Sequence, residues 1–145
     1  YPANDPRTAE AKACHRRLKA GTPNWNGGLS KTQLAWVQSK LEAATKAKER
    51  VILFCHFPVH PPNVHNLWNA KALTDLLTKY PCVAAYMNGH NHGGNYGQLG
   101  KIHFLTLKGM VDTNTSAYSV IEVHKDHLEL KGFGRQKGRT LPLKR

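Results

Sequence analysis

Three histidines stand in short loops rich in glycine, asparagine and proline, where imidazole chemistry is most useful. His56 closes the apolar run "VILFCH", and His90 and His92 lie two residues apart in "YMNGHNHGGNYG", Tyr86 to Gly97. Neutral imidazole is the commonest protein ligand for transition metals, and glycine lets backbone approach a ligand closely or adopt positive φ. Any one of these histidines alone would pass for an ordinary polar loop residue. Three of them at the ends of neighbouring strands converge on one rim, because ligands of open α/β sheets bind outside the carboxyl ends of the strands. Such a rim supports binding of one divalent metal ion or two adjacent ones.

The elements that must position this rim follow from periodicity. "TAEAKACHRRLKA", between Pro6 and Gly21, reads as a short surface helix that "GTPNWNGG" breaks. Ser30 and Gln33 have capping-box spacing, and Leu34, Val37, Leu41 and Ala44 share one face, which predicts a helix over 31–47. "RVILFCH" suits a strand buried on both faces. Leu73, Leu76, Leu77 and Tyr80 form a helical stripe that ends at Pro81, and "CVAAYM" makes a second buried strand leading into the glycine-rich loop. Helix, strand, helix, strand implies parallel strands joined by right-handed crossovers. "IHFLTL", "AYSVIEV" and "HLELKGF" are further strand candidates, the last two joined by "HKDH", so the C-terminal third is expected to be antiparallel. Trp25, Trp36 and Trp68 read as core or pocket-wall residues, and His15, His65, His124 and His127 as surface residues.

A chain of 145 residues suits one domain or part of one. Lys plus Arg outnumber Asp plus Glu by 21 to 9, which favours anionic partners. The middle of the chain is nearly free of that charge, since residues 51 to 100 carry only Lys71 and Lys79 as basic side chains. Three cysteines without a CxxC pair argue against a disulfide framework and favour a reduced compartment such as the cytoplasm. No apolar run is long enough to span a membrane. "YPANDPR" has neither an apolar signal region nor an initiator methionine, so a processed or excised piece is expected, with any upstream signal peptide out of view.

"ILFCHFP" followed thirty-four positions later (90 − 56 = 34) by "GHNH" resembles the last two signature blocks of the calcineurin-like metallophosphoesterase superfamily. "WNGGLSKTQLAWVQSKL", "NLWNAKALTDLL", "GHNHGGNYGQLGKIHFLTLKGMVDT" and "ELKGFGR" extend the resemblance to the C-terminal half of the manganese-dependent ADP-ribose/CDP-alcohol diphosphatase group, from about Trp25 to Arg139. The resemblance implies an α/β fold of the α+β sandwich type, the C-terminal half of a metallophosphoesterase β-sandwich flanked by helices, with the N-terminal half absent. It divides the chain into a lead-in over 1–29, an α/β part with the metal-ligand loops over 30–112, and antiparallel strands with a basic tail over 113–145. It also implies two divalent ions (Mn, Fe or Zn), His56 and His90 binding the second and His92 the first. A hydroxide bridging two such ions attacks a phosphodiester or nucleotide-type diphosphate in line. By the same resemblance, Gly89, Gly93 and Gly94 let backbone approach the metals and the phosphate. His60, Asn91 and His103 are expected to contact the substrate alongside Gly93 and Gly94, and Arg135 to steer a diphosphate toward the rim.

The superfamily's earlier blocks, Asp-x-His, Gly-Asp-x-x-Asp and Gly-Asn-His, do not occur in the chain. The only carboxylates before His56 are Asp5, Glu10, Glu42 and Glu49, and "NGG" at Asn26 reads as loop. The isolated chain is therefore expected to lack phosphodiesterase activity, either because a complementing N-terminal half or second chain carries those blocks or because catalysis was lost. A half-sandwich leaves a sheet edge and apolar faces open, which predicts such a partner or self-association. Two other readings compete. "KGFGRQKGRTLPLKR" holds six basic residues and no acid, as a nucleic-acid or polyanion binder or a merely solvated tail would, and three histidines alone also suit a mononuclear zinc protein.

Overall fold

The protein is described by a computed structural model covering residues 2–143. Asp5 caps α1 (Pro6–His15) by accepting from the Arg7 amide, and Pro6 opens the helix. Ser30 caps α2 (Lys31–Ala47) through the full reciprocal capping box with Gln33, and Lys48 closes it in the left-handed conformation. The bounds of α2 are those that its pattern predicts. β1 (Val51–Cys55) pairs in parallel with β2 (Val83–Asn88), and α3 (Ala70–Leu77) lies on the crossover between them.

β3 (Asn95–Leu99) and β4 (Ile102–Thr106) complete a four-stranded sheet of order β1-β2-β4-β3. β4 lies parallel to β2 and antiparallel to β3. "IHFLTL" thus belongs to the parallel part of the sheet, not to an antiparallel C-terminal third. The glycine-rich loop folds back as β3, supplying the crossover that β4 needs to run parallel to β2. A second sheet of order β5-β6-β7 contains β5 (Ala117–Val123), β6 (His127–Gly134) and β7 (Arg139–Pro142), all antiparallel.

The elements stack in three layers. Tyr86, Ile102 and Phe104 face the helices with Leu41, Leu73 and Leu77, while Ala85, Met87 and Leu105 face the second sheet and its Leu128, Leu130, Leu141 and Leu143. β2 is buried throughout because it lies between both layers and two neighbouring strands. β1 differs from expectation: it is the edge strand, only partly buried, and Phe54 is 72% exposed. The basic tail is not a solvated appendage, since β7 pairs with β6 and buries Leu141, and Leu143 just beyond it is buried as well; Lys144 and Arg145 lie outside the described residues. Among the described residues, the three cysteines are free and no helix is long and apolar enough to cross a membrane.

Candidate metal centre

The C-terminal ends of β1 and β2 set the rim. The Gly89 amide donates to the His56 carbonyl at 3.1 Å, which ties the two strand-end loops together. Beneath them Tyr86, 1% exposed, donates its hydroxyl to the Phe57 carbonyl at 2.9 Å, and burial holds that phenol far above its usual range. Asn88 and Thr106, paired in register, exchange reciprocal buried hydrogen bonds of 3.1 and 3.0 Å and lock the ends of β2 and β4. The rim therefore stands on a fully satisfied polar floor.

His56 and His90 meet on this floor, with His56 Nε2 3.1 Å from His90 Nδ1. Asn26, read from sequence as a loop residue, decides their protonation. Its Nδ2 donates to the Val64 carbonyl at 2.7 Å, so its Oδ1 must face His90 Nε2, 3.0 Å away, and accept from it. His90 accordingly carries its proton on Nε2 and turns the Nδ1 lone pair toward His56. Burial, with the nearby His56, His65 and His92 rings adding to it, holds His90 below the usual imidazole range and so favours the neutral form that a ligand needs. His90 adopts φ of 66°, so at the start of the loop the left-handed residue is the histidine and not Gly89. Such a conformation in a non-glycine residue costs of order 1–3 kcal/mol and clusters at functional sites.

His92 is oriented from its other side. Asp112 Oδ2 lies 2.6 Å from His92 Nδ1, and a carboxylate only accepts, so Nδ1 is protonated and Nε2 is free for a cation. Gly109 makes room: a Cβ there would stand 2.7 Å from the His92 ring, and the Gly109 amide donates to the His92 carbonyl at 3.1 Å. Arg135 does not reach into the rim. Its guanidinium is taken by the carbonyls of Gly109 and Thr115, so it braces the loop that carries Asp112.

The opening beside the rim is lined by Trp25, His65, His90, Asn91, His92, Gly93 and Asp112. Trp25, one of the tryptophans read as core or pocket wall, and His65, read as a surface residue, stand with ring centroids 5.3 and 5.5 Å from His90. His65 Nδ1 is buried with no hydrogen-bond partner among the described residues. Two expected substrate residues are elsewhere. His103 is 1% exposed between the sheets, where its Nε2 donates to the Pro142 carbonyl and its Nδ1 accepts from the Tyr96 hydroxyl. Its strand alternation points it into the core, with both nitrogens satisfied. His60 packs on Phe104 and over Gly97 and is absent from the lining. Of the glycines, Gly89 has open space around it, while Gly94 turns the chain at φ of 73° against Lys108. Trp25 and Trp36 wall openings rather than fill core, at 49% and 61% exposed, the latter lining an apolar groove between α2 and β1.

The donor set fits divalent cations. Two imidazole nitrogens 3.1 Å apart, one with its far side fixed by Asn26, can share one ion with little movement, and His92 offers a third, pre-oriented nitrogen.

The fold is that of the matching part of a dimetal phosphatase of the calcineurin-like type. A crystal structure of a dimetal phosphatase from Danio rerio superposes with a TM-score of 0.80 at 29% identity, over 83% of this chain and 40% of that one. The particular group the chain resembles over most of its length is the manganese-dependent ADP-ribose/CDP-alcohol diphosphatases. The Xenopus laevis member is 37% identical over 81% of this chain and 35% of its own length, and the Oryza sativa member 34% identical over 91% and 48%. No model of a protein family matches the chain. The chain spans between about a third and a half of the length of these relatives.

Proposed function

We propose that this chain is the histidine-bearing part of a dinuclear metal phosphoesterase that hydrolyses a phosphodiester or nucleotide-type diphosphate. The observation that carries the reading is the His56–His90 pair at the strand ends, 3.1 Å apart with the tautomer of His90 set by Asn26. His56 and His90 would hold one divalent ion and His92 the other. When bound, two such ions supply Lewis acidity to the phosphoryl oxygens and activate the attacking water. The chain's own residues prepare that chemistry. Asn26 and Asp112 aim the imidazole lone pairs, the Tyr86 and Asn88–Thr106 floor keeps the strand ends from spreading, and the left-handed backbone of His90 bends the loop over the rim. Asn91 and Gly93 line the opening through which a phosphate ester would enter, and Trp25 offers an exposed ring for its organic part. ADP-ribose and CDP-alcohols, named for the relatives, are the substrates to try first.

The reading includes a complementing half, carried by the same longer protein or a second chain, with the carboxylate-bearing blocks. The open β1 edge, with Phe54 72% and Trp36 61% exposed beside an apolar groove, supports a covering partner or self-association. The test is reconstitution. The chain is assayed with manganese and ADP-ribose or CDP-choline, alone and mixed with the non-overlapping segment of the Xenopus relative. Hydrolysis only in the mixture, abolished by His90→Ala, is expected. A mixture that forms a complex and retains manganese but hydrolyses neither compound would overturn the reading.

A further inference from the structure

A second histidine cluster sits at the β5–β6 hairpin, in the other sheet. β6 separates it from the rim: its Gly134 end leads to Arg135, which braces Gly109 beside His92, whereas His127 opens the strand seven residues earlier. At about 3.3 Å per residue that separation is roughly 23 Å.

The hairpin is a firm platform. The His124 amide donates to the His127 carbonyl at 2.9 Å, closing the turn. Arg50 donates to the Lys125 carbonyl and the Leu143 amide to that of Asp126, so both turn residues are pinned from outside the hairpin. On its outer face Glu122 stands in register with Glu129, two carboxylates directly opposite, an arrangement that is destabilising unless a cation intervenes. Lys131 pairs with Glu122. The Glu129 carboxylate makes no hydrogen bond or ion pair among the described residues.

The imidazoles complete the set. The rings of His124 and His127 stack at 4.3 Å with only 10° between their planes. His127 Nδ1 donates to Asp126 Oδ1 at 2.8 Å and so leaves Nε2 with its lone pair. One ligand atom from each of His124, His127 and Glu129 falls within 4.8 Å of the others. Two imidazoles and one carboxylate are the protein donors of an open tetrahedral site, water supplying the fourth position.

We propose that the β5–β6 hairpin is a separate mononuclear metal site, in which His124, His127 and Glu129 bind one zinc-class cation. The mixed N/O donor set ranks zinc and copper(II) above manganese. The hairpin therefore differs from the rim in place and in donor set, with the Glu129 carboxylate beside two imidazoles rather than three imidazoles.

The test uses the metal-free full chain, titrated with zinc and followed by long-range proton–nitrogen correlation of the histidine rings, with bound zinc counted by equilibrium dialysis. The ring signals of His124 and His127 are expected to shift separately from those of His56, His90 and His92. His124→Asn with His127→Asn is expected to remove one zinc per chain, and Glu129→Gln to weaken the hairpin's zinc at least tenfold. The proposal is overturned if the His124 and His127 rings stay unmoved with zinc in excess over all histidines, or if the double variant binds as many zinc ions as wild type. Ring signals of the wild-type chain decide the matter even if the double variant does not fold.

Discussion

The strand-end rim and the β5–β6 hairpin both bring imidazoles within reach of a cation, and they do so by different means. At the rim, the His90 nitrogen facing away from its partner is engaged by a buried amide, and that of His92 by a carboxylate on a braced loop. The floor below is core: Tyr86, Asn88 and Thr106 are all buried. At the hairpin His127 is oriented by a largely exposed Asp126 and His124 Nε2 faces Glu122 Oε2 at 3.5 Å, both partners coming from the hairpin itself, and His124 is itself exposed. The comparison teaches that proximity of ligands and preorganisation of ligands are separate properties. The first comes from a turn and the second needs partners from distant parts of the chain.

Several substitutions break or sharpen this contrast. The largest effect falls on His90→Ala, which is expected to abolish manganese binding at the rim, read by electron paramagnetic resonance, and to leave the zinc response of the His124 and His127 rings unchanged. Asn26→Leu and Asp112→Ala remove the orienting partners and are expected to weaken metal binding at the rim by about 10–100-fold, the usual cost of losing such a group. Asp112→Asn separates the two roles of that residue, because an amide oxygen can still accept from His92 Nδ1 without carrying charge. A calorimetric titration in which Asp112→Asn binds as weakly as Asp112→Ala would assign the effect to charge. Tyr86→Phe leaves the Phe57 carbonyl beneath the rim without its donor, and a denaturant melt is expected to show a loss of about 1–3 kcal/mol.

The smallest effect belongs to the hairpin surface. The hydrogen bond from Lys131 holds Glu122 below its ordinary value of 4.5. A depressed carboxylate contributes stability above that value and loses it as pH falls through the lower folded-state value. Wild type and Lys131→Met are therefore expected to differ slightly in melting temperature near neutrality and to converge in acid. A difference that grows as pH falls would show that the pair is not the cause.

Much of the scaffold was legible because its signals are local. The Ser30–Gln33 box and the stripe over Leu34, Val37, Leu41 and Ala44 place α2, and the all-apolar "CVAAYM" marks the buried strand β2. β3 escaped notice because "NYGQL" has a central glycine and little apolar content, and β7 because "RTLP" is four residues inside a basic tail. Missing β3 also reversed the reading of β4, since the strand pairing depends on what lies between. At the rim, the three histidines announced themselves by loop composition. Asn26 and Asp112 did not: they stand 64 and 20 residues from the rings they orient, and nothing in "NWNGG" or "GMVDT" marks an asparagine or aspartate as a partner of a histidine. The surroundings of Arg135 and His103 are illegible for the same reason, since their backbone partners become visible only in three dimensions.

The tautomer that Asn26 dictates also governs how a cation can arrive. With His90 Nδ1 held as an acceptor, the proton between the two rings belongs to His56 Nε2, the very nitrogen that would have to present a lone pair. One ring of the pair is ready and the other must first relocate its proton to Nδ1. Loading of the pair is thus an exchange reaction with the solvent as well as a docking event, and its rate should follow the buffer's capacity to carry protons even where its equilibrium does not.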